Sequence, residues 1–101
     1  MEEHCAAGGV KFMTEISRFY GIIIRMYPEG GMYHNRPHFH IYFQGKSVSY
    51  GLDTLEPIHG ELPRRQRRLV DAWVEIHLRE LLTNWDALTS GADAEKIDPL
   101  S

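Results

Sequence analysis

Three histidines, His34, His38 and His40, fall in the run His34-Asn35-Arg36-Pro37-His38-Phe39-His40. Imidazole ligates metals, exchanges protons near neutral pH and can donate to phosphate oxygens. His38 and His40 open an alternating Phe39-Ile41-Phe43 run, so on an extended strand they share one face, roughly 6 to 7 Å apart along the chain. Three chemistries fit that placement. With Arg25 as a fixed cation for a pentavalent phosphate, the pair supplies the acid and base of a metal-independent ribonuclease acting at a 2′-hydroxyl. Joined by His34, Asp53 or His59, the pair could instead complete a tetrahedral or six-coordinate metal site. Paired cysteines, a His-Glu-x-x-His helix and a dense carboxylate cluster are all absent from the sequence, which counts against metal. The third reading is structural: imidazoles that bond loop carbonyls and hold the Pro37 turn.

Arg64, Arg65, Arg67 and Arg68 place four guanidinium groups in five positions directly after Pro63. A helix N-terminus offers free N–H groups and partial positive charge, so Arg64, Arg65 and Arg68, with Tyr42 from the strand, form a candidate phosphate or nucleic-acid seat, or a landing place for an acidic partner. Arginines in a first turn oppose the helix dipole, a small cost that hints at use. The alternative is a solvated face in which Arg68 reaches Asp71 and Glu75 pairs with Arg79. Cys5 has no base near it in sequence, and Gly8-Gly9 and Gly30-Gly31 lack a following Lys-Ser or Lys-Thr, so neither a thiol nucleophile nor a phosphate loop is expected.

These residues must be held by a chain of 101 residues, 11.7 kDa, which is room for one domain able to bury a core. Hydrophobic content of 43% and charged content of 25% belong to an ordinary globular protein. The formal net charge of −3 argues against a surface that grips nucleic acid all over; phosphate binding would have to be local. The chain shows no apolar run of membrane-spanning length and no basic-then-apolar leader, so a cytoplasmic protein without membrane contact is expected. One cysteine cannot form an intramolecular disulfide.

Residues 1–15 read as a flexible lead-in and 16–100 as a single domain. Ile16 to Tyr27 is apolar on both sides and reads as a central strand. Pro28-Glu29-Gly30-Gly31 is turn material, His38 to Gln44 a second strand, and Ser47 to Asp53 a third, the last two joined as a hairpin through Gly45-Lys46. A short fourth strand fits within residues 54–62, limited by Pro57. Pro63 opens a helix that runs unbroken toward Gly91. At 100° per residue Val70, Trp73, Val74, His77, Leu81 and Leu88 share one stripe. Leu78, Leu82 and Trp85 widen it, so a second surface, a partner or a returning Lys96–Leu100 segment must cover some of it. The expected fold is α+β: a three- or four-stranded antiparallel sheet followed by one long helix on one face. If that helix covers Ile22, Ile24, Phe39, Ile41, Phe43, Val48 and Tyr50, alternation leaves Arg25, His38, His40, Tyr42, Ser47, Ser49 and Asp53 on an open face. His77 and Asn84, polar within the apolar stripe, are expected to be buried structural residues with hydrogen-bond partners, on the other side of the sheet from His38 and His40.

The run Ile16-Ser17-Arg18-Phe19-Tyr20-Gly21-Ile22-Ile23-Ile24-Arg25-Met26-Tyr27, then Pro37-His38-Phe39-His40, Leu62-Pro63-Arg64-Arg65 and the Trp73–His77 and Asn84-Trp85 spacing resemble the small bacterial family called domain of unknown function 4160, over about residues 13 to 100. The resemblance implies a compact α+β protein, often encoded beside a second small protein in a toxin–antitoxin-like arrangement; it supplies no biochemical activity. This chain differs in its longer lead-in before Met13 and in Arg36, where related sequences often carry a second proline.

The leading expectation is a component of such a pair that binds or cleaves RNA, with His38 and His40 transferring protons, Arg25 stabilising charge, Arg64, Arg65 and Arg68 seating phosphate, and no cofactor. One alternative is a metal-dependent hydrolase or phosphodiesterase with His34, His38 and His40 as ligands. The other is a module without chemistry, whose open sheet face or spare helix surface holds a small partner protein or a second copy.

Overall fold

The computed structural model describes residues 14–26 and 36–100. Residues 1–13 of the lead-in, Cys5 among them, the Pro28–Gly31 turn and His34 lie outside the described residues, while Thr14 and Glu15, the last two residues of that lead-in, belong to a strand. Five antiparallel strands pair in sequence order, β1 Thr14–Phe19, β2 Ile22–Met26, β3 His38–Phe43, β4 Lys46–Gly51 and β5 Glu56–His59, and helix α1 follows at Arg64–Thr89. The architecture is the expected α+β sheet-then-helix, with five strands where three or four were expected.

The difference arises at Tyr20-Gly21. The apolar run read as one strand is a hairpin, with Phe19 opposite Ile22. Tyr20 and Gly21 both take positive φ, 50° and 79°, as Gln44 and Gly45 do at 48° and 77° between β3 and β4. Two successive left-handed residues make the turn whose twist matches paired strands, and glycine in second place removes the Cβ clash. Gly45-Lys46 was the expected link there, so the observed turn lies one residue earlier. The centre of the sheet is β3, not the first apolar run. Pro57 sits in β5, an edge strand, where its missing N–H costs no interior ladder bond.

Phe39 stacks on Tyr50 at 5.0 Å, and Trp73 lies 6.0 Å from Phe39 and 5.3 Å from Phe19. Around these rings Ile22, Ile24, Ile41 and Val48 join Val70 and Val74 of α1 in one core. Helix α1 starts after Pro63 without a side-chain cap and without an acid in its first turn. Backbone angles at His77, φ −112° and ψ 21°, are not helical, so the run is two helical segments meeting at a kink. The last residues return along the helix, as the wide apolar surface required. Asn84 donates to the Glu95 carbonyl at 2.8 Å and accepts from the Glu95 N–H at 3.0 Å. Trp73 Nε1 donates to the Asp98 carbonyl at 2.9 Å, and the Ile97 N–H donates to the Ile16 carbonyl of β1 at 2.8 Å. No helix among the described residues is long and apolar enough to cross a membrane.

Candidate functional site

Strand alternation places the histidines as read. His40 pairs across β3 with Arg25 of β2 and Ser49 of β4, and Tyr42 with Ile23 and Ser47, so Arg25, His38, His40, Tyr42, Ser47 and Ser49 share a face opposite Phe39, Ile41 and Phe43. The imidazoles of His38 and His40 are adjacent, 5.3 Å between centroids and nearly perpendicular.

Ser47 on that face is exposed and Arg25 and Tyr42 are half-buried, but the histidine end is not open. His38 is 1% exposed and His40 7%, which corrects the expectation of an uncovered pair. The cover on His38 is Trp85, whose ring lies 5.0 Å away. Trp85 stands about 120° around the helix from Trp73 at 100° per residue, and the kink at His77 falls between them. Thus the two helical segments send their tryptophans to β3 residues of opposite parity, Phe39 and His38. Buried residues of both segments keep to one stripe, Val70, Trp73 and Val74 before the kink and Leu81, Asn84 and Leu88 after it, and Trp85 at the edge of that stripe is the residue that reaches His38.

The hydrogen bonds around the pair hold structure. His38 Nδ1 lies 2.7 Å from the Arg36 carbonyl, which can only accept, so this nitrogen carries the proton and donates. His40 Nδ1 faces the Ser49 hydroxyl at 3.4 Å, at the long end of bonding distance. Arg36 grips Asp53 with two parallel bonds of 2.9 and 3.0 Å, and the Leu52 N–H donates to the Pro37 carbonyl at 2.8 Å. The Arg36 guanidinium holds the Asp53 carboxyl below its ordinary range. Asp53 is therefore committed to the turn around Pro37, not to a metal. Among the described residues no group of three or more His, Cys, Asp or Glu is arranged to hold a metal ion; His34, the third proposed ligand, lies outside them.

Arg25 lies over the Tyr42 ring, 5.0 Å from its centroid, in cation–π geometry. Its Nε is buried without a hydrogen-bond partner among the described residues. Tyr42 thus belongs with Arg25 on the histidine face, away from the helix start with which its residue type had grouped it.

The arginine cluster divides. Arg67 bonds both oxygens of Asp71 at 3.1 Å, and Asp71 accepts from the Tyr50 hydroxyl at 2.6 Å. Burial first, and then the bond to Asp71, push the Tyr50 phenol well above its ordinary value. Asp71 therefore ties the first turns of α1 to the core through Tyr50, and its ion pair is with Arg67, where Arg68 was the expected partner. Arg64, Arg65 and Arg68 are exposed and make no ion pair among the described residues.

Of the two polar residues on the helix stripe, Asn84 is buried and clamps the returning tail, while His77 is half-buried, packs 5.7 Å from Trp73 and bonds Glu80. The Asp71 hub and the Asn84 clamp were not assigned by sequence reasoning. Arg67 four residues before Asp71 was a usable signal for the first; the second needs the tail's path. A cleft of about 290 Å³ opens between the second helical segment and the tail, beside Arg79, Thr83, Asn84 and Lys96, and reaches neither the histidine couple nor the exposed arginines.

A meander sheet with a kinked helix, a sealed imidazole couple and three exposed arginines at the helix start defines a small α+β protein whose outward chemistry there is cationic. The chain belongs to the family described as Domain of unknown function (DUF4160), which it matches over residues 21–86. The match runs from the β1–β2 turn to the residue after Trp85, so β1 and the returning tail fall outside it. No curated protein and no solved structure matches the chain.

Proposed function

We propose that this protein binds RNA through Arg64, Arg65 and Arg68 without cutting it, as one member of a toxin–antitoxin-like pair of small bacterial proteins. The observation that supports this reading is the state of those three side chains: exposed, unpaired among the described residues, and next to a helix start with no acid in its first turn and no side-chain cap. In a chain of net charge −3 such a cluster is a local attraction for phosphate, reinforced by the free N–H groups of the first turn. Guanidinium groups pair with phosphate oxygens in a planar two-bond geometry that lysine cannot copy.

The burial of His38 and His40 weighs against cleavage. A general base must lie within hydrogen-bonding reach of the hydroxyl it deprotonates, and a ribose on a polymer does not reach an imidazole that is 1% exposed beneath an indole.

The test is titration of labelled single-stranded RNA at several salt concentrations. Replacing Arg64 and Arg65 by alanine should weaken binding and reduce the salt slope by about 0.7 for each phosphate no longer neutralised. His38→Ala should bind as the parent does, and the RNA should remain intact throughout. An unchanged slope in the arginine variants, or cleavage that disappears with His38, would overturn the proposal.

A further inference from the structure

From the outward face of α1 we infer that the chain forms a homodimer, two copies packing their helices antiparallel about a two-fold axis beside His77. At 100° per residue Arg68, Ala72, Glu75, Arg79 and Asp86 share the stripe opposite the buried one, with Ile76 on its flank. All six are exposed, and Ile76, at 66%, is the most exposed large apolar side chain among the described residues. The four charged members make no ion pair among the described residues, although Glu75 and Arg79 are four apart.

The order of the charges identifies the occupant. Arg68 stands nine residues before His77 and Asp86 nine after it; Glu75 stands two before and Arg79 two after. The stripe is thus antisymmetric in charge about one point. A second copy related by a half-turn about an axis lying in the contact plane, perpendicular to the helix and level with His77, faces the first, reverses the helix direction and brings each stripe position opposite its mirror position. Arg68 then meets Asp86 of the second copy, Glu75 meets Arg79, and each pair occurs twice. Ile76, one residue from the axis, meets its own counterpart about 3 Å away along the helix direction. Ala72 and Thr83, at nearly mirrored positions, keep the contact low enough for close approach. Like charges would coincide in the parallel arrangement, and an unrelated acidic partner would leave Glu75 and Asp86 opposed. Arg68 is common to this pairing and to the RNA reading, whereas Arg64 and Arg65 take part only in the latter and Glu75, Arg79 and Asp86 only in the former.

Sedimentation velocity of the full chain without RNA, over a wide concentration series, tests the inference. The parent should move from near 11.7 kDa toward twice that mass. Asp86→Arg and Arg68→Asp should each weaken the dimer on the order of tenfold or more, by setting like charges against each other twice, and the double variant should regain most of the loss. Should either substitution unfold the chain, the reversals Glu75→Arg and Arg79→Glu, singly and together, ask the same question. A parent that stays monomeric, or a dimer indifferent to these reversals, or single losses that the doubles fail to rescue, would overturn it. RNA binding by the Asp86, Glu75 and Arg79 variants that survives such a failure leaves the arginine reading standing, because those three residues take no part in it; Arg68→Asp, which alters both, is read by sedimentation alone.

Discussion

The histidine couple and the arginine cluster are both groups of polar side chains that draw attention in the sequence, and the fold treats them in opposite ways. His38 and His40 are buried, His38 beneath Trp85 and bonded to the Pro37 turn and His40 facing Ser49 of β4, whereas Arg64, Arg65 and Arg68 remain in solvent with no carboxylate paired to them among the described residues. The contrast teaches that residue type is a poor guide to function until cover is known. A buried imidazole must find partners for its nitrogens, and those partners fix the Pro37 turn; an exposed guanidinium is available to meet something outside.

The strongest challenge to this contrast is removal of the cover. Trp85→Ala should destabilise the protein by about 3 to 5 kcal/mol, the usual cost of deleting a buried indole, measured by chemical denaturation. If the loss is instead negligible, Trp85 does not seal His38 and the couple is open after all. Asn84→Ala should cost about 1 to 3 kcal/mol, because it removes both bonds to Glu95 and releases the segment carrying Ile97 and Asp98. Protection of the Ile97 amide in hydrogen exchange should fall with it; unaltered protection would show that Trp73 and β1 hold the tail alone. His38→Ala should cost somewhat less, about 1 to 2 kcal/mol, with RNA binding unchanged. Binding that declines in step with stability across these variants would merge the two regions that the comparison separates.

The smallest expected effect is acid dependence at the Pro37 turn. The Asp53 carboxyl is held low by Arg36, so its contribution is present above the unfolded carboxylate range near pH ~4 and is lost as pH falls through the lower folded value. Asp53→Asn should therefore flatten the acid side of the stability profile slightly, and a profile identical to the parent's would show that the pair adds nothing. Glu15 beside Arg18, similarly depressed, acts in the same direction.

Much of the fold was legible because its signals are local. Alternation in His38–Phe43 assigns each side chain to a face whatever packs there, and Pro63 and Gly91 bracket α1 by backbone chemistry alone. The β1–β2 hairpin was hidden for an equally local reason: Tyr20-Gly21 interrupts a run apolar on both faces, where a glycine reads as readily within a strand as at a turn. The candidate site was legible only in part. Which residues share a face followed from parity, but whether His38 is covered depends on where Trp85 arrives, which no pattern within β3 specifies.

By itself, then, the order of amino acids determined the strands that alternate, the extent of the helix, the sheet-then-helix class and the pairing of His38 with His40, since each depends on neighbours a few residues away. Tertiary structure alone decided that Trp85 lies on His38, that the Tyr50 hydroxyl reaches Asp71, and that Asn84 clamps the tail. Those contacts join residues as many as 47 positions apart, from His38 to Trp85, and no local preference specifies which distant surface arrives to exclude water.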